Sequence, residues 1–149
     1  VSASAGEWDS DTTASLFGTV TSTASANFDP GNSPDGVNEL SFGNYETVGV
    51  IAVTRIWGVF SGPPSQRFID QFDILFDTDF SWGNATVNSA VMDHQNIATH
   101  EIGHGVGLAD VYDSPCVIVT MYGFSTEGET QKRTLEAPDI TGLQNLYGV

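Results

Sequence analysis

The sequence predicts an α+β fold: a twisted, mixed β-sheet of about four to five strands, then a helix carrying two histidines and a short C-terminal helix. Three observations predict it. β-Branched and aromatic residues gather in short runs between Leu16 and Phe76, as strands require. His100 and His104 stand four apart, the spacing that puts two side chains on one helix face. Ile140, Leu143, Leu146 and Tyr147 recur at helical spacing near the end of the chain and predict an apolar stripe packed on the core.

In chain order, Val1–Thr13, with its alanines and small polar residues, reads as a short helix. Leu16–Thr23 is rich in β-formers and predicts a strand. Asn27–Gly36, with Pro30, Gly31, Pro34 and Gly36, is a loop. Strands are expected at Asn38–Phe42, Val48–Trp57 and Arg67–Phe76, the last after a break at Gly62-Pro63-Pro64. The histidine helix starts near Asp93 or Asn96, either of which is a capping residue, and turns Ile97, Ile102 and Val106 to the core. Beyond it the chain is irregular as far as Arg133. A last helix spans Ala137–Tyr147 with Pro138 in its first turn.

At 149 residues the chain has the length of one domain, with a sheet subdomain at about 1–107 and a small C-terminal subdomain at about 108–149. Nineteen acids against Arg55, Arg67, Lys132 and Arg133 give a formal charge of −15. Such a surface repels nucleic acid and anionic membranes, and is compatible with an extracellular setting and with bound Ca²⁺. Cys116 is the only cysteine, so no internal disulfide forms; it is expected to be buried. No apolar run reaches the length of a membrane span, and no signal peptide is seen at Val1. A secreted, processed monomer is the expectation.

The chemistry is concentrated in His100-Glu101-Ile102-Gly103-His104-Gly105-Val106-Gly107-Leu108-Ala109-Asp110. Two neutral imidazoles one helical turn apart suit a single Zn²⁺. Glu101 lies beside the first of them, where a carboxylate reaches a metal-activated water as general base. Gly107 permits the left-handed backbone that ends the helix and turns the chain back. Asp110, three residues on, then supplies a third ligand. His94 does not share this site: six residues before His100, it points roughly 120° away around the helix and about 9 Å along it.

This run resembles the metzincin signature H-E-x-x-H-x-x-G-x-x-H, with Asp110 in place of the last histidine. Snapalysin-type metzincins show the same replacement, and Asp110-Val111-Tyr112-Asp113-Ser114-Pro115-Cys116 is similar to their sequence. The resemblance implies a zincin-like fold and a Met-turn at Thr120-Met121-Tyr122-Gly123, with Met121 packed beneath the zinc site. It also implies an oxyanion donor, for which Tyr112 is the candidate and Tyr122 the competitor. The tyrosine that astacins and serralysins carry two residues after the Met falls here on Gly123. The cysteine that pairs with the snapalysin counterpart of Cys116 is absent.

From about Leu16 to Val149 the order of elements also resembles a matrixin catalytic domain. That implies an edge strand at Val50–Trp57 along which a peptide substrate adds as a further strand. It also makes Asp77 and Asp79, in Asp77-Thr78-Asp79-Phe80-Ser81-Trp82, candidate calcium ligands. Ala137-Pro138-Asp139-Ile140-Thr141-Gly142-Leu143 is similar to the matrixin ending. The strand that precedes the first helix in matrixins is not found, and neither is a cysteine-switch propeptide. The expected activity is zinc-dependent peptide-bond hydrolysis. The alternatives are a catalytically silent, zinc-stabilised binding module and an enzyme acting on a non-protein amide.

Overall fold

Strand pairing in the first half of the chain is organised by one long strand. In the computed structural model, which describes residues 1–149, β1 is Glu39–Gly43, β2 is Ala52–Val59 and β3 is Phe68–Asp77. β3 lies between the other two, parallel to β1 and antiparallel to β2. These strands belong to a compact unit of residues Ser22–Asp79.

Gln71 to Asp77 are all buried, the polar residues included. The alternation of Phe72, Ile74 and Phe76 with Gln71, Asp73 and Asp77 therefore does not mark a wet face. Instead the polar side chains fasten the Asn27–Gly36 loop. Asp73 accepts from the Asp29 amide at 2.9 Å, Gln71 accepts from the Gly36 amide at 2.6 Å, and the Gln71 amide donates to Asp29 and Asp73. Buried polar groups persist when each has such a partner.

β2 has β3 on one side only and is an edge strand. It begins at Ala52, not Val48, because Gly49 adopts φ +87°, a turn conformation that ends a strand. A register shift at Trp57/Gly58 brings the backbones so close that a Cβ on Gly58 would lie 2.2 Å from the Phe68 carbonyl oxygen.

The expected strand at Leu16–Thr23 does not form: those residues belong to neither sheet. β-Propensity measures how well a side chain fits a pleated, half-buried surface, and residues 18–25 lie exposed. The large sheet has three strands. The other two, β4 (Trp82–Gly83) and β5 (Met92–Asp93), form a separate parallel pair.

That pair belongs to a second compact unit, made of Val1–Thr21 and Phe80–Val149. Its helices are α1 (Ser2–Ser10), α2 (His94–Gly105) and α3 (Ala137–Tyr147). α1 packs on α2 through Trp8, which is fully buried and donates its indole N–H to the Thr99 carbonyl at 2.8 Å. Ile97, Ile102 and Val106 are buried as expected. On α3 the expected stripe is narrower: Leu143 is fully buried, but Leu146 is 55% exposed. Asp139 takes the second buried position of that helix.

Gly103 sits where α2 meets Trp8 and Met121. A Cβ there would lie 2.3 Å from the Met121 sulfur and 2.7 Å from Trp8 Cζ2. Alanine normally stabilises a helix interior by up to about 1 kcal/mol over glycine. Here the overpacking, typically about 1–3 kcal/mol, outweighs it. Gly103→Ala is expected to lower the urea midpoint, whereas Gly6→Ala on α1, with nothing within 4 Å of its Cβ, should raise it.

Of the two possible caps, Asp93 is the one used. Its Oδ1 accepts from the Asn96 amide at 2.9 Å and its Oδ2 from the Ala85 amide at 2.8 Å. Arg133 spans both oxygens, with Nε 2.8 Å from Oδ1 and an Nη on Oδ2. Burial by itself would raise the Asp93 pKa, but Arg133 and the two amides outweigh it and hold the carboxyl below the ordinary aspartate value. A depressed folded-state pKa contributes stability above the unfolded value of about 3.9 that is lost as pH falls through the folded one. In the zinc-free protein, Asp93→Asn should cost about 2–3 kcal/mol at pH 7, less than a fully buried pair because Arg133 stays partly hydrated. Urea titrations should show that difference shrinking as the pH is lowered towards 3; a pH-independent difference would contradict the ion pair.

Candidate functional site

The last turn of α2 and the reversal that follows bring three potential ligands together. Past the C-cap Val106, Gly107 has φ +95°. Its amide donates to the His104 carbonyl, and the Leu108 amide donates to the Gly103 carbonyl, both at 2.9 Å. This paired capping is the Schellman arrangement that glycine allows. It sends the chain back past the helix end, so that one ligand atom each from His100, His104 and Asp110 lie within 4.8 Å of one another. Asp110 Oδ1 is 3.2 Å from His100 Nε2 and 3.4 Å from His104 Nε2.

The tautomers follow from the other ring nitrogens. His100 Nδ1 is 2.7 Å from the Thr120 carbonyl oxygen, and His104 Nδ1 is 2.8 Å from that of Leu108. A carbonyl oxygen only accepts, so each neutral ring carries its proton on Nδ1 and presents the Nε2 lone pair to the cluster. Asp110 Oδ1, shut off from solvent, then has no hydrogen-bond donor. Three lone-pair atoms converge on one point, and a buried acceptor without a donor is costly. The donor set, two imidazoles and one carboxylate, is one that Zn²⁺ accepts.

The electrostatics point the same way. Burial works against a protonated His100, yet the bond that a second proton on Nε2 would make to Asp110 and the charge of Glu101 outweigh it, and the imidazole pKa lies above the ordinary histidine value. The Asp110 carboxyl lies below its ordinary value, chiefly through the bond that a protonated His100 would donate. The cluster favours positive charge at its centre.

Glu101, the neighbour of His100 on α2, is buried. Met121 is buried against the Gly103 face of the same helix. The Thr120–Met121 backbone is itself fixed from α3, where Asp139 accepts from the Thr120 amide at 2.8 Å and the Met121 amide at 3.1 Å. Asp139 thus stands behind the carbonyl that orients His100. The sequence reading missed this residue; an aspartate in the first turn of a Pro-initiated helix is the signal that marked it. It also missed the Thr120 and Leu108 carbonyls, which no side-chain pattern announces.

The remaining candidates are placed as follows. His94 opens α2 edge-on to Trp82, with ring centroids 6.2 Å apart, and stands outside the metal-ligand group. Asp77, at the end of β3, accepts from the Tyr45 and Asp79 amides. The other acidic group within metal-ligand reach is Asp29, Glu39 and Asp73, whose carboxylates are engaged in the loop network of β3. Cys116 is half-buried in a turn and not in the core as expected. Tyr112 is exposed and donates its hydroxyl to Asp110 Oδ2 at 2.9 Å.

A model of the matrixin family matches residues 62–148. Human neutrophil collagenase is 34% identical over 77 residues, 52% of this chain and 15% of that protein. Human matrilysin is 36% identical over 76 residues, 51% of this chain and 27% of that protein. Rat matrix metalloproteinase-16 is 32% identical over 76 residues, 51% of this chain and 12% of that protein. The matched segments are thus a minor part of each relative's length.

Proposed function

The chain belongs to the matrixin family, and from that premise we propose that it is a zinc-dependent endopeptidase with His100, His104 and Asp110 as metal ligands and Glu101 as general base. One observation carries the reading: two Nε2 lone pairs and the donorless Asp110 Oδ1 converge where both histidines are locked in the ligating tautomer. Zinc held there supplies Lewis acidity towards a peptide carbonyl and makes water easier to deprotonate.

The protein's own residues do the rest. The Thr120 and Leu108 carbonyls fix the two rings, which raises ligand basicity as well as setting orientation. Glu101 accepts the proton of the attacking water on its carboxylate and delivers it to the nitrogen of the departing amine. A substrate backbone adds as a further strand along Val50–Trp57, where main-chain bonds give affinity without requiring a particular side chain. Gly107 and Met121 support the ligands by shape and packing. The proposal places the protein outside the cell, in keeping with its acidic composition. The test is hydrolysis of unstructured casein by the protein beside its Glu101→Ala variant at equal zinc content. Zinc in both with cleavage in neither would favour the silent binding module.

A further inference from the structure

The Asp110 carboxylate has its two oxygens divided between different partners. Oδ1 faces both histidines, while Oδ2 accepts from the Tyr112 hydroxyl at 2.9 Å. The division is built into the backbone. Val111, between Asp110 and Tyr112, bridges to Tyr122: its amide donates to the Met121 carbonyl at 2.8 Å, and its carbonyl accepts from the Gly123 amide at 3.1 Å. In an extended segment residues i and i+2 share a side, so this bridge sends Asp110 and Tyr112 in one direction.

The tyrosine ring is seated by what stands across that bridge. A Cβ on Gly123 would lie 2.5 Å from Tyr112 Cε1, 2.8 Å from Cζ and 3.0 Å from the hydroxyl oxygen. Phe124 meets the ring edge-on, with centroids 5.4 Å apart. Gly123 is not among the glycines with positive φ, so its backbone suits any residue. It is glycine for space, and the space is filled by Tyr112.

We infer that Tyr112 is a positioning residue for Asp110, holding the ligand's second oxygen so that the first faces the metal, and that Gly123 exists to admit its ring. The inference rests on the zinc site proposed above. It reassigns Tyr112 from the oxyanion-donor role considered from the sequence, because the phenolic proton is already committed to Oδ2. Gly123 belongs to the same device.

Outer contacts to metal ligands are worth about 10–100-fold in metal affinity. An exposed donor such as this one belongs at the lower end, about tenfold. The experiment measures Zn²⁺ affinity by competition with a chromophoric chelator for the wild type, Tyr112→Phe, Gly123→Ala and the double variant. Each single change should weaken zinc about tenfold. The double variant should be no weaker than either, since both remove one interaction. Turnover lost at limiting zinc should return on adding zinc, and the visible spectrum of the Co²⁺-substituted protein should shift alike in both single variants.

Unchanged zinc affinity with turnover that zinc does not restore would overturn the inference and return Tyr112 to the substrate. A loss of thermal stability in zinc-free Tyr112→Phe large enough to account for the weakened binding would also overturn it. Wild-type protein that fails to bind zinc would instead overturn the zinc site itself.

Discussion

Glu101→Ala is expected to lower casein hydrolysis by about ten-thousandfold while leaving zinc content unchanged. The magnitude is the upper end for a single positioned proton-transfer group, because one carboxylate serves both the attack and the departure. Zinc should stay because Glu101 lies outside the ligand group of His100, His104 and Asp110. Glu101 is buried, so truncation also leaves a void. Glu101→Gln separates the effects: it keeps the volume, removes the basicity and should be as inactive as the alanine variant. Zinc content by atomic absorption and initial rates on unstructured casein are the two readings. Appreciable turnover in Glu101→Gln at full zinc would rule out Glu101 as the base. Inactivity accompanied by zinc loss would mean that it supports the metal.

The second large effect is expected far from the motif in sequence. Asp139 on α3 is 3% exposed and accepts from three backbone amides, those of Thr120, Met121 and Glu136. Asp139→Ala leaves the Thr120 and Met121 amides buried without acceptors, at about 1–3 kcal/mol each. It also removes the first-turn contact of α3. A total loss of about 3–5 kcal/mol is expected, read as a lowered urea midpoint in the zinc-free protein. Because the Thr120 carbonyl orients His100, zinc affinity should fall as well, by about 10–100-fold. Lost stability with unchanged zinc affinity would show that the path from α3 to His100 carries no energy. Unchanged stability would remove Asp139 from the account altogether.

These two residues differ in how visible they were beforehand. Glu101 was legible because the role proposed for it depends on its immediate neighbours, two histidines at helical spacing. Asp139 was read only as part of the C-terminal helix and its ending, since two of its three amide partners lie 18 and 19 positions earlier. The same contrast separates Gly107 from Gly123. Gly107 is required by a local conformation, φ +95°, which the position of a glycine after a helix announces. Gly123 is required by a ring eleven residues away, and no local rule reports that.

The sequence by itself determined the histidine helix, the reversal at Gly107, the candidate ligands His100, His104 and Asp110, and the bounds Ala137–Tyr147 of α3. Each is set by short-range physics: side-chain periodicity, the backbone freedom of glycine, the geometry of a helix end and the donor chemistry of the residues. Only the tertiary structure decided that Leu16–Thr23 is no strand, that Gln71 and Asp73 turn inward to hold a loop, and that Thr120 and Leu108 set the histidine tautomers. It alone joined Asp139 to the Met121 turn and Tyr112 to Asp110. Those outcomes depend on which surfaces meet, because a strand needs a partner and a buried polar group needs a donor or acceptor. Local pattern states what a segment offers; only the folded chain supplies what it meets.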